Sequence, residues 1–112
     1  MATSEIATRV PISEEQISEF CQRNHIRKLS LFGSVLRDDF NADSDVDVLV
    51  EYEPGVPITL LDVAGQEIEL SEILKRKVDV RTAQDLSRYF RQQVVETAHT
   101  IFTSGQALFG VI

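Results

Sequence analysis

Gly33-Ser34 and Asp45-Val46-Asp47, with ten residues between Ser34 and Asp45, could together do chemistry on phosphate. A Gly at the end of a strand permits a tight bend and lets a ligand approach the backbone. A Ser at the start of a following helix brings a hydroxyl beside free backbone N–H groups, a natural seat for phosphate. Side chains two apart on a strand share a face, so Asp45 and Asp47 point the same way while Val46, Val48 and Val50 turn to the core. Two neighbouring carboxylates repel each other, and burial raises their pKa. A Mg²⁺ ion supplies the missing positive charge, and it favours one or two carboxylates plus substrate phosphates. The Gly-Ser seat holds a triphosphate; the Asp pair holds its metal.

Two-metal transfer calls for a third acid. Asp79, in Lys77-Val78-Asp79-Val80, lies between core valines and so projects from its strand on the opposite side. If that strand neighbours the second, Asp79 can face Asp45 and Asp47. There it would ligate a second metal and accept the proton of an attacking hydroxyl.

The elements that position these residues follow from pattern. Ser13-Glu14-Glu15-Gln16 reads as a capping box opening a helix over 13–24. Ile26 to Phe32 reads as a strand, with Leu29 and Leu31 on one face. Gly33-Ser34 opens a short helix to about Asp39, and 41–44 is a turn. Val46 to Tyr52 is a β-branched second strand. Thr59 to Leu74 has an amphipathic apolar pattern at 60, 61, 64, 68, 70, 73 and 74. Lys77 to Arg81 is a third strand. Leu86, Phe90, Val94, Ala98 and Ile101 predict one long helix from Gln84 to about Phe102, which makes Phe90 and Phe102 core residues. Alternating strands and helices give an α/β (α+β) domain with a small mixed or parallel sheet and flanking helices. Residues 1–12 read as a loose leader, 13–102 as the domain and 103–112 as a C-terminal tail.

Composition narrows the function. A chain of 112 residues allows one domain, so a large substrate must use an open surface or a partner must complete the site. The net charge of −7 runs against backbone-gripping nucleic-acid binders, so no extended nucleic-acid binding is expected. Basic clusters at Arg23 to Lys28 and Lys75-Arg76-Lys77 could hold a triphosphate or a small RNA end. A basic partner protein suits the charge better. Without a bilayer-spanning run or a signal pattern, the expectation is no membrane and a cytoplasmic location. Cys21 reads as a small core residue. His25 and His99 lack metal-ligand spacing. Asp38, Asp39 and Asp43 read as turn and surface acids. Tyr52, Tyr89, Arg88 and Arg91 read as a solvated helix face or a partner surface.

From about Ile26 to the final helix the sequence resembles the DNA-polymerase-β-like nucleotidyltransferases: Gly-Ser, Asp-x-Asp, then a later Asp on a neighbouring strand. Leu31-Phe32-Gly33-Ser34-Val35-Leu36-Arg37 and Ser44-Asp45-Val46-Asp47-Val48-Leu49-Val50 resemble the minimal nucleotidyltransferase (MNT) proteins, commonly paired as antitoxins with HEPN-domain toxins. The resemblance implies that Gly33 and Ser34 hold phosphates. It implies that Asp45 and Asp47 bind both of two Mg²⁺ ions and Asp79 the second. It makes Arg37, in Gly-Ser-x-x-Arg, a phosphate contact or a support for the acidic loop. It implies AMP transfer from ATP to a tyrosine of an HEPN ribonuclease toxin, within a hetero-oligomer. Two other functions compete: an antitoxin that neutralises by stoichiometric binding, and nucleotidyl transfer to a small molecule or RNA end.

Overall fold

In the computed structural model, residues 10–38 and 40–104 are described. Asp39, most of the expected leader and the tail from Gly105 lie outside the described residues.

The first helix, α1, runs Glu14–Arg23. Ser13 Oγ accepts from the Gln16 backbone N–H at 3.3 Å, which forms the backbone half of the expected box. Glu14 and Glu15 in the first turn and Arg23 in the last complement the helix dipole. Its inner face buries Ile17, Phe20 and Cys21. Preceding it, Val10 is fully buried and Ile12 packs on the core, so the end of the expected leader belongs to the fold.

Strand β1 is Ile26–Phe32 and β2 is Val46–Tyr52, paired antiparallel with Leu29 opposite Val50 and Leu31 opposite Val48. Helix α2, Leu60–Leu74, follows a reciprocal capping box between Thr59 and Asp62. Asp62's carboxyl is held below its usual range by hydrogen bonds from the Thr59 backbone N–H and side chain. This crossover returns the chain to β3, Val78–Arg81, parallel to β2. The sheet order is β3-β2-β1-β4, a small mixed sheet as the sequence predicts, with one strand more than the three expected.

The C-terminal part differs from the expected long helix. A 3-10 turn at Ala83–Asp85 leads through a loop to a seven-residue helix, α3, Arg91–Thr97, and then to strand β4, His99–Thr103, antiparallel to β1. Thr100, Ile101 and Thr103 are β-branched, and the open edge of β1 supplies hydrogen-bond partners that a helix could not use. Ser30 and Thr100 hydroxyls meet across the pair at 3.2 Å. Phe90 consequently remains half exposed, while Phe102 packs against the core.

Helices α1 and α2 cover one face of the sheet and share one core with Leu29, Leu31, Val46, Val48 and Val50. Truncating Phe20, which is fully enclosed there, costs about 3–5 kcal/mol in a site of this kind. α2 departs from its predicted pattern. It buries Gln66, Leu70 and Leu74, whereas Leu60, Leu61 and Ile68 stand in solvent. Gln66 tolerates burial because Tyr52 donates its hydroxyl hydrogen to Gln66 Oε1 at 2.6 Å. Tyr52 is therefore a packing residue, and Tyr89 is exposed.

Candidate active site

The period-2 alternation that sends Val46, Val48, Val78 and Val80 into the core turns Asp45, Asp47 and Asp79 to the other face. The parallel register makes Asp47 and Asp79 direct neighbours across β2 and β3. On its other side, Asp47 pairs with Phe32, the last residue of β1. The residue after Phe32 is Gly33, so the bend sits against the central acid.

Gly33 has φ +76°, a conformation that disfavours side chains. A Cβ there would overlap Asp47 Oδ2 and lie 3.2 Å from Asp47 Cγ. Gly33 is thus needed both for the bend and for the space that the carboxylate occupies. The expected helix after it is a single 3-10 turn, Gly33–Leu36. Four residues carry little dipole, so any phosphate seat relies on the turn's own N–H groups and the Ser34 hydroxyl. Ser34 Oγ donates to the Asp45 backbone carbonyl at 3.3 Å, tying the turn to the start of β2.

Burial raises the pKa of Asp47, with further upward pushes from Asp79 and Asp45; Arg81 and Arg37 oppose the shift. Asp79 Oδ2 meets Arg81 at 3.0 Å, and Asp45 Oδ2 lies 4.0 Å from Lys77 Nζ. Arg37 is exposed and lines an open cleft of about 700 Å³ with Phe32, Gly33, Phe90, Val94 and His99. Among the described residues, no group of three or more His, Cys, Asp and Glu side chains already converges on one point. The donor chemistry nevertheless fits a hard divalent cation. Three carboxylates share one face, and burial, with the neighbouring acids adding to it, disfavours ionisation of the central one.

The basic clusters are used structurally. Arg23 forms a two-pronged pair with Glu69, and Arg27 pairs with Glu51 at 2.7 Å. Arg76 donates to the Asn41 carbonyl at 2.6 Å and to that of Ser44, and stacks 4.4 Å from the Phe40 ring centroid. It thereby fixes the turn that delivers Asp45. The sequence reading missed this role, and it missed Arg81 and Lys77 as partners of the acids. Two-residue spacing from Asp79 was the available signal for Arg81, since both share a strand face.

A model of the nucleotidyltransferase domain matches residues 13–101. The chain belongs to the nucleotidyltransferase domain family. Its resemblance to such proteins, drawn first from the two motifs, therefore holds over most of its length. A Methanocaldococcus jannaschii protein, MJ0435, that carries the name "putative protein adenylyltransferase" is 32% identical over 76 residues, 68% of this chain and 80% of that protein. The solved structure of a "putative minimal nucleotidyltransferase" is 35% identical, with TM-score 0.63 over 76% of this chain and 85% of that one. A toxin–antitoxin structure with AMP-PNP shares the fold at 23% identity, with TM-score 0.65 over 89% and 82% of the two chains. So does a complex of tri-AMPylated Shewanella oneidensis HEPN toxin with MNT antitoxin, at 21% identity and TM-score 0.57 over 84% and 72%. Among the described residues, no helix is long and apolar enough to cross a membrane.

Proposed function

We propose that this nucleotidyltransferase is an antitoxin that transfers AMP from ATP to a tyrosine hydroxyl of a cognate HEPN ribonuclease toxin. The observation that carries the reading is the side-by-side register of Asp47 and Asp79 against the side-chain-free Gly33. In this reading Asp45 and Asp47 hold two Mg²⁺ ions, and Asp79 holds the second. Gly33 and Ser34 take the phosphates, with Arg37 beside them. The cleft next to Gly33 gives the nucleotide room. When bound, such a metal pair would neutralise charge on the α-phosphate of the transferred adenylyl group. Asp79 accepts the proton of the attacking hydroxyl, whose oxygen bonds to the α-phosphorus as pyrophosphate leaves. The name of the Methanocaldococcus relative and the AMPylated toxin bound to an MNT antitoxin both support protein as the acceptor.

The test is incubation with α-labelled ATP, Mg²⁺ and a candidate HEPN-domain partner from the same organism. Label on the partner tyrosine is the expected result, lost in an Asp45→Asn, Asp47→Asn double variant that stays folded. An unlabelled partner with intact protein rejects the reading. Neutralisation by binding alone is the second reading, favoured by the solvent-facing Leu60, Leu61 and Ile68, which need no carboxylate to engage a partner. Full protection from the toxin by the same double variant would select it.

A further inference from the structure

Helix α2 has two apolar sides. Leu70 and Leu74 face the core, and Leu61 and Ile68 face away from it, 84% and 66% exposed. Leu61, Gly65, Ile68 and Glu72 follow one another at intervals of four, three and four residues, so they form one stripe along the outer surface. This is the seam spacing of two packed helices. All four are exposed.

Gly65 is the second observation. A glycine inside an exposed helix weakens that helix relative to alanine. Nothing in the fold requires it, because a Cβ at Gly65 would meet no atom within 4 Å. A notch between two exposed apolar residues makes sense if another backbone or a bulky side chain approaches there.

Charge indicates what approaches. α2 contains Asp62, Glu67, Glu69 and Glu72 and no Lys or Arg, in a chain of net charge −7. A second copy would bring a like-charged helix and a like-charged chain against it. A helix with an apolar face and a Lys or Arg beside Glu72 complements it. The stripe faces away from the sheet face that carries the acids, and α2 reaches the acid-bearing strand at its edge. Ser71 Oγ accepts from the Val78 N–H at 3.1 Å and Glu67 Oε2 from the Val80 N–H at 2.8 Å, so α2 clasps the strand on both sides of Asp79. A shallow groove of about 540 Å³ leads from Ala64 and Ile68 to Lys77 and Val78.

We propose that the Leu61–Gly65–Ile68–Glu72 stripe is the docking seam for a basic amphipathic helix of the acceptor protein, which rests on the reading of this chain as a modifier of a helical HEPN partner. The test uses the full chain and that partner, with affinity measured by calorimetry. A Leu61→Lys, Ile68→Lys variant should lose at least tenfold in affinity while binding Mg·ATP as the wild type does. Gly65→Ala should separate two effects: a higher melting temperature for the isolated chain and a weaker complex. Unchanged affinity in both variants overturns the seam, as does wild-type protein that binds no partner. A homodimer of the isolated chain that the Lys variant dissociates assigns the face to a second copy and also overturns it. A wild-type complex that forms without acquiring label rejects the transfer reading and leaves the seam standing. Equal labelling with wild type and Lys variant does the reverse.

Discussion

Strand β3 and its neighbour place two carboxylates in opposite circumstances. On the outer edge, Glu67 accepts a hydrogen bond from the Val80 N–H. On the inner side, Asp47 lies opposite Asp79 and close to Asp45, and its pKa is raised. The first carboxylate completes an edge strand whose donors would otherwise need water or another chain. The second raises the energy of the fold wherever it is ionised. The contrast separates an acid placed for stability from one placed for chemistry.

Removing each acid should therefore have opposite consequences. Asp47→Asn should reduce AMP transfer by on the order of 10³-fold, measured as initial labelling rate. Because the folded-state pKa of Asp47 is raised from its ordinary 3.8, the native state binds more protons than the unfolded chain over that interval. Its stability falls as pH rises through the folded pKa, and the loss is complete above it. At pH 7 the metal-free Asn variant should then melt higher than the wild type, with the difference shrinking on acidification below the carboxylate range. Mg²⁺ should raise the wild-type melting temperature and leave the variant's unchanged. A metal-free Asn variant that melts lower would break the contrast.

Gly33→Ala challenges the same region from the other strand. Its positive φ costs about 1–2 kcal/mol for a side chain, and displacement of Asp47 adds to that. Thermal melting and labelling should fall together. Glu67→Ala should give the smallest change. It should cost about 1–3 kcal/mol by orphaning the Val80 N–H, read by denaturant unfolding, with the labelling rate of the folded fraction preserved.

What was legible in the sequence followed the same division. β1 and β2 have the limits that their apolar patterns predict, because Gly33 and Pro54-Gly55 interrupt the chain sharply at their ends. The three acids and Gly33 were readable from spacing, since strand alternation fixes the face of a side chain. The region after Asp85 was not. Leu86, Phe90, Val94, Ala98 and Ile101 fit a helical period, but Leu86 ends the Ala83–Asp85 turn in an extended conformation. Arg91 then donates to the Leu86 carbonyl at 3.0 Å and locks the loop. The pull of the free β1 edge on His99–Thr103 is a tertiary effect that no local window contains. The outward position of Leu60, Leu61 and Ile68 on α2 is not legible for a similar reason. Periodicity marks apolar positions without saying which face of the helix meets the core.

Asp79 gives the most direct test of the two-metal centre. An Asp79→Asn variant keeps the strand, the neighbouring valines and a side chain of nearly equal size, and removes the carboxylate's charge, its pair with Arg81 and its proton acceptance. The measurement is the rate of label transfer from ATP to the partner at saturating Mg²⁺, with melting temperature as a control for folding. The three-acid reading predicts a fall of at least about 10²-fold in a protein that remains folded at the assay temperature. A folded variant that transfers label at the wild-type rate would contradict it.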